Sequence, residues 1–271
     1  MVIFTDLDGT LLNHEDYSFE EARPSLERIG KSAIPLIVVT SKTRLEVELL
    51  QREIGIREPF IVENGGGIFF PCGYLNLDIL GGEPSGGYTL IRLGTHYTAV
   101  RSFLETVRER FGIRGFGDLT SGEIAGLAAL PPERAELAKR REFTEPFLLE
   151  RPDDIEPLCE IAGREGLKIT RGGRFYHLIG IRQDKGKAVR IVCEIFRKNT
   201  GDALMTIGLG DSENDLPMLE QVDIPVLIPR PNGRHLDIQL PRLIRATELG
   251  CRGWNETVRR LLDDYEKVGP V

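Results

Sequence analysis

The chain has 271 residues, 41% of them hydrophobic and 28% charged, and a formal net charge of −7 at pH 7. That supplies apolar material for a sizeable core, in about two domains or one large one, and too much for general disorder. The acidic balance argues against a nucleic-acid binder, which carries a basic face, and no run approaches the roughly 18 apolar residues of a membrane-spanning helix.

The opening residues, MVIFTDLDGTLL, read as a buried strand over Val2-Ile3-Phe4, followed at once by Asp6, Asp8 and a turn. AIPLIVVTSKT is a second buried strand, ending in the hydroxyls of Thr40 and Ser41. Residues 43–54 place Val47, Leu50 and Ile54 on one helical face. PFIVENGGGIFFP reads as a strand, a glycine turn and another strand. Continuous apolar strands alternating with helices predict an α/β domain with a Rossmann-like parallel sheet covered on both faces.

The pattern changes after Pro71. GGEPSGG, residues 81–87, reads as a linker or long turn, and YTLIRL as a strand. Residues 96–111 carry Val100, Leu104, Val107 and Phe111 at helical spacing. Thr120 and Glu123 offer a capping box, and PPERAELAKRR starts a helix with prolines in its first turn. A strand in FTEPFLLE, a helix over 153–164, and the strands LKITR and RFYHLIG follow, the last two joined at Gly172-Gly173 as a hairpin. Residues 82–180 are therefore expected to form a separate α+β unit, inserted into a core domain of residues 1–81 and 181–271. The alternation resumes with a helix in DKGKAVRIVCEIF that carries Val189, Val192 and Phe196 on one face. ALMTIGLGDSEND is a strand and a loop, IPVLIP a short strand, and residues 252–266 a helix packing Trp254, Val258, Leu261 and Tyr265. Cysteines 72, 159, 193 and 251 form no CxxC and read as reduced thiols. The N-terminus enters a strand directly, without a basic or cleavable segment, so the cytoplasm is the expected compartment.

Asp211 and Asp215 stand four apart in GLGDSEND, again past an apolar strand. In open parallel sheets, sites form outside the carboxyl ends of the strands. Asp6, Asp8, Asp211 and Asp215 all fall at such ends, and four carboxylates on one rim repel unless a cation sits among them. A hard divalent ion such as Mg²⁺ suits a sparse carboxylate set that also takes a substrate phosphate. The hydroxyl of Thr40 or Ser41 and the loop N–H groups are candidate phosphate donors. Lys185, at its helix start, is a candidate to neutralise the phosphoryl group, since phosphoryl transfer needs positioning and charge stabilisation above all. Asp6 is then the candidate nucleophile and Asp8 the proton donor and acceptor.

DLDGT, VVTSK, DKGKA and GDSEND resemble the four motifs of the haloacid dehalogenase superfamily, in its phosphatase branch. The resemblance implies that Asp6 is nucleophile and metal ligand, and that Asp8 is acid/base and ligates metal through its main-chain carbonyl. It implies phosphate binding by Thr40 and Lys185, an acidic metal ligand at Asp211, a second or supporting one at Asp215, and Asn214 near the phosphate. The insertion resembles a C2-type cap, with hinges implied near residues 81–87 and 180–184. VTSKTRLEVELLQREIGIREPFIVENGG, REFTEPF and GGRFYHL are similar to mannosyl-3-phosphoglycerate phosphatases, which form the compatible solute mannosylglycerate. The partner so implied is a small phosphorylated glycoside, with neither nucleic acid nor membrane.

An anionic substrate also fits the residues themselves. Arg171, Arg174 and His177 lie in and beside the hairpin, and Lys42 and Arg44 follow the second strand; arginine binds carboxylates well. Glu142 and Glu145 are candidate acceptors for sugar hydroxyls. A glucosyl or other sugar phosphate, or a phosphomutase of the same architecture, is the alternative. A non-catalytic sugar-phosphate sensor is disfavoured, because binding alone needs no Asp6–Asp8 pair.

Overall fold

The computed structural model describes residues 1–172, 175–200 and 204–268. Chain order begins with β1 (Val2–Thr5), α1 (Arg23–Lys31), β2 (Leu36–Val39), α2 (Arg44–Ile54), β3 (Phe60–Val62) and β4 (Gly67–Pro71). It continues with β5 (Glu83–Ser85), β6 (Tyr88–Arg92), α3 (Tyr97–Phe111), β7 (Ile113–Gly115), α4 (Ser121–Ala128), α5 (Pro132–Ala138) and β8 (Glu145–Leu149). Then come α6 (Ile155–Arg164), β9 (Leu167–Gly172), β10 (Phe175–Gly180), α7 (Lys185–Thr200), β11 (Thr206–Gly210), α8 (Leu216–Leu219), β12 (Ile224–Leu227), β13 (Ile244–Arg245) and α9 (Gly250–Val268).

The unbroken apolar runs become strands buried on both faces. Alternate side chains serve opposite layers. Ile3, Leu36 and Val38 pack with Leu26, Val47 and Trp254 beneath α1, α2 and α9. Val2, Phe4, Ile37 and Val39 pack with Val189, Val192 and Phe196 of α7 on the other side. Among the described residues the larger sheet runs β13-β12-β11-β1-β2-β3-β4-β6-β5. Its pairs from β13 to β3 are parallel, so the carboxyl ends of β11, β1 and β2 lie side by side.

The sheet is mixed rather than wholly parallel. Residues 83–92, expected in the insertion, pair antiparallel through β6 to β4 and extend the larger sheet. YTLIRL has a strand-forming edge at hand there, and the linker-like GGEPSGG contributes the whole of β5 and the turn into β6. The second sheet, β7-β8-β10-β9, is wholly antiparallel. Val100, Leu104 and Val107 of α3 and Leu158 of α6 pack on it with Phe147 and Leu178. The expected hairpin is present as β9 paired with β10.

The two sheets meet at a strained loop. Glu63, Asn64 and Gly65 all have left-handed backbones, at φ 51°, 58° and 85°. At Gly65 a Cβ would stand 2.2 Å from the Asp184 carbonyl, so the close approach requires glycine. The turn aims the buried Glu63 carboxylate at the segment entering β8. It accepts the N–H groups of Glu142, Phe143 and Thr144 at 2.8, 3.0 and 2.8 Å, and the Thr144 hydroxyl at 2.8 Å. Gln183 donates to the Glu63 carbonyl at 2.9 Å and accepts the Gly180 N–H at 3.1 Å.

Glu63→Ala leaves three main-chain N–H groups without their acceptor and the buried Arg141 without its counter-charge. The expected loss of stability is about 3–5 kcal/mol, read from urea unfolding; a loss under about 1 kcal/mol would contradict this role for Glu63.

Candidate active site

The carboxyl end of β1 is fixed from behind. Trp254 Nε1 donates to Thr5 Oγ1 at 3.0 Å, and that hydroxyl donates to the Asp6 carbonyl at 2.8 Å. The Asp6 N–H reaches the Leu209 carbonyl of β11 at 2.9 Å. The loop then passes Asp211 so closely that a Cβ on Gly9, at φ +80°, would lie 2.7 Å from Asp211 Oδ2. This is why DLDG turns on glycine.

At the centre, Lys185 Nζ lies 2.6 Å from Asp6 Oδ1 and 2.6 Å from Asp215 Oδ1. All three side chains are buried. Asp184 sets the lysine by accepting the Lys187 N–H at 2.7 Å in the first turn of α7. The other oxygen of Asp215 accepts from the N–H groups of Asp211 and Ser212 at 3.1 and 3.0 Å and from the Ser212 hydroxyl at 3.0 Å. Asp215 thus has both oxygens engaged, whereas Asp211 Oδ1 is buried without a hydrogen-bond partner. Oxygens of Asp6, Asp211 and Asp215 lie within 4.8 Å of one another.

Electrostatics follow from this crowding. Burial first, then the charge of Asp215, pushes Asp6 up to about 7. Burial, then Asp215 and Asp6, pushes Asp211 up to about 8. Burial alone would lower Lys185, but the Asp215 and Asp6 carboxylates outweigh it and raise the ammonium above its ordinary range. An all-oxygen cluster with a buried, unpaired carboxylate oxygen is the donor set that a hard divalent cation takes.

Thr40 follows β2, and its hydroxyl accepts the Lys42 N–H at 3.1 Å. It does not cap α2; Thr43 does, in a capping box with Glu46. Asp8 is not one of the three grouped carboxylates; its Oδ1 lies 2.9 Å from Lys42 Nζ. Lys42 also lies 3.9 Å from Glu46 and 4.8 Å from the centre of the Tyr17 ring. Burial would lower Lys42, and the Asp8 and Glu46 charges more than offset it.

Asp6, Asp8, Ser41, Lys42, Arg171, His177, Asp211 and Asn214 all line one cavity of about 740 Å³ between the two sheets. Asn214 donates to Asn64 Oδ1 at 3.1 Å. Thr40, Lys185 and Asp215 are not among the residues that line it, and neither are Arg44, Glu142 and Glu145. Arg44 is held by Glu142 at 2.9 Å and Glu48 at 3.0 Å, over the Phe69 ring. That pair also spends Glu142. Glu145 is fully buried among Arg101, Tyr97 and the Gly117 N–H, at 2.9, 2.7 and 2.8 Å. The two acids satisfy neighbouring cations instead of a sugar. Arg174 falls outside the described residues. Sequence reasoning missed Arg141. It is buried, lines the cavity and pairs with Glu63 at 3.4 Å, 78 positions away, a partner that only the folded chain reveals. Arg230, also unanticipated, lines the cavity and pairs with Glu213.

The four cysteines are free thiols, and no helix among the described residues is long and apolar enough to cross a membrane.

Comparison with known proteins agrees with this geometry. The family model for haloacid dehalogenase-like hydrolases matches residues 3–75. A protein of Persephonella marina named glucosyl-3-phosphoglycerate/mannosyl-3-phosphoglycerate phosphatase is 57% identical, over 98% of this chain and 99% of that protein. A relative of the same name from Methanococcoides burtonii is 43% identical over 98% of this chain and 99% of its own. The crystal structure of a Thermoplasma acidophilum protein superposes with a TM-score of 0.69 at 18% identity, covering 98% of this chain and 97% of that one, which speaks for the fold alone. The chain belongs to the haloacid dehalogenase-like hydrolases, in the family of the glucosyl-3-phosphoglycerate/mannosyl-3-phosphoglycerate phosphatases.

Proposed function

We propose that the chain is a Mg²⁺-dependent phosphatase that hydrolyses glucosyl-3-phosphoglycerate and mannosyl-3-phosphoglycerate to phosphate and the glycosylglycerate. Two relatives that match nearly end to end carry that name for both sugars, which supports a substrate range wider than the mannosyl compound alone. The observation that carries the chemistry is Lys185 bridging Asp215 to Asp6, which lines the cavity, with the unpaired oxygen of Asp211 near them.

In this reading an Asp6 oxygen forms a bond to phosphorus as the bond from phosphorus to the glycerate oxygen breaks. The departing oxygen takes a proton from Asp8. Asp8 then removes a proton from water, whose oxygen attacks phosphorus and releases Asp6. Lys185 offsets charge on the nucleophile and on the transferring group, and Asp215 holds Lys185 in place. The Thr40 hydroxyl and the main-chain N–H groups of the loops hold phosphoryl oxygens. Asp6, Asp211 and the Asp8 carbonyl would hold Mg²⁺, which supplies further charge neutralisation at the phosphoryl oxygens. The antiparallel unit acts as the cap and closes the cavity over the glycoside.

Phosphate release from the two glycosyl-3-phosphoglycerates is expected with Mg²⁺ and is abolished by EDTA, with 3-phosphoglycerate a poor substrate. Rapid turnover of 3-phosphoglycerate with none of the glycosides would discard the substrate assignment. Asp6→Asn is expected to lower kcat by at least ~10³-fold in a folded protein; turnover within about tenfold of wild type would remove Asp6 as nucleophile.

Asp6 and Asp211 have folded-state values of about 7 and about 8, above the 3.8 of a free carboxyl. Raised carboxyls oppose folding once ionised, so their contribution to stability falls as pH rises from about 4 through about 8. Mg²⁺ should relieve that penalty, so its thermal-shift gain is expected to be larger at pH 8.5 than at pH 6. An equal gain at both values would contradict the shared carboxylate site.

A further inference from the structure

The cations in and near the cavity differ in how their charge is used. Lys185 is bound by Asp6 and Asp215, Lys42 by Asp8, and Arg230 by Glu213. Arg171 is exposed and stacked on the Tyr176 ring. Arg141 is the exception, with a side chain only 3% exposed. Its Nη2 donates to the Ser41 carbonyl at 2.8 Å and to the Thr144 hydroxyl. Its Nε lies 3.4 Å from Glu63 but out of line for a hydrogen bond. Glu63 is already shared among three main-chain N–H groups and a hydroxyl. No described residue accepts from Nη1.

Its Nε is buried without a hydrogen-bond partner, and leaving part of a buried guanidinium unpaired is costly unless a ligand completes it. Its orientation is set from both units, by Ser41 and Glu63 on one side and Thr144 on the other. It is therefore pre-organised, and binding need not order a long side chain. Beside it, His177 is buried and lines the same cavity, and its Nδ1 also lacks a partner. His177 lies in the field of both Arg141 and Lys185. Burial, then those two cations, pulls it down to about 3, so it remains neutral and leaves Arg141 as the local charge.

We infer that Arg141 is the specificity-determining residue that receives a second anionic group of the substrate, a carboxylate a few bonds from the phosphate ester. The assignment rests on the phosphoglycerate reading above, and it distinguishes a glycerate from a glycerol at the same place. Phosphate has its own donors at the Asp6 end. The free Nη1 offers two N–H groups to an oxygen pair further along the cavity.

The test compares kcat/KM for mannosyl-3-phosphoglycerate with that for the analogue in which hydroxymethyl replaces the carboxylate. Wild type is expected to prefer the glycerate by about 10²-fold. In Arg141→Met that preference should fall to within about threefold of unity, the loss on the glycerate residing mainly in KM. A variant that slows on both substrates equally and keeps the wild-type preference has lost only structure, and that result overturns the assignment. If the Met variant does not fold, Arg141→Lys is read by the same ratio. A preference reduced more than about threefold supports the assignment, because an ammonium cannot reproduce the fork; a smaller change overturns it. Wild type that hydrolyses neither compound removes the phosphoglycerate reading itself, and Arg141's role with it.

Discussion

The buried contact of Lys185 with Asp6 and Asp215 is the interaction on which the rest of the site depends. Two carboxylates about 5 Å apart repel by roughly 3 kcal/mol at an effective dielectric constant of about 20. Three such groups at one sheet edge would absorb most of the 5–15 kcal/mol by which a typical domain is stable, roughly speaking. One ammonium at 2.6 Å from two of them offsets much of that repulsion. It leaves Asp6 and Asp211 still raised by burial and by the charge of Asp215. The site is therefore built to be completed by further positive charge, and a phosphoryl group arriving with a divalent ion fits what remains.

The fold serves this contact by bringing remote residues to one edge. Parallel pairing of β11 with β1 and β1 with β2 sets Asp211, Asp6 and Thr40 side by side. Trp254 on the last helix reaches through Thr5 to hold the Asp6 backbone. The Glu63 loop connects the same sheet to the antiparallel unit, and the Glu63–Arg141 pair carries that connection into the cavity wall. Backbone strain at Glu63 and Asn64 thus sits where one part of the molecule grips the other, as strained turns commonly do at functional places.

The sequence was most legible where a signal is local. Unbroken apolar runs gave the buried strands, the Thr120–Glu123 spacing gave a helix start, and the β9–β10 pairing was announced as a hairpin. Acidic residues just past strands gave the carboxylate cluster. It was least legible where a side chain's partner is distant in the chain. Arg44, Glu142 and Glu145 look like free polar groups beside a sugar site, yet ion pairs with Glu48, with each other and with Arg101 use them up. Arg141 showed the opposite error, because nothing next to it in sequence announces Glu63 or Ser41. The strands at 83–92 were misplaced for a similar reason, since a short strand does not reveal which sheet edge it will join.

The most direct test of the account is chemical trapping of Asp6 during turnover. Borohydride reduces an aspartyl phosphate to homoserine, and peptide mass spectrometry locates the change. The account predicts homoserine at position 6, formed only when Mg²⁺ and a glycosyl-3-phosphoglycerate are both present. Full turnover with Asp6 unmodified, or with homoserine at Asp8 or Asp211 instead, would contradict it.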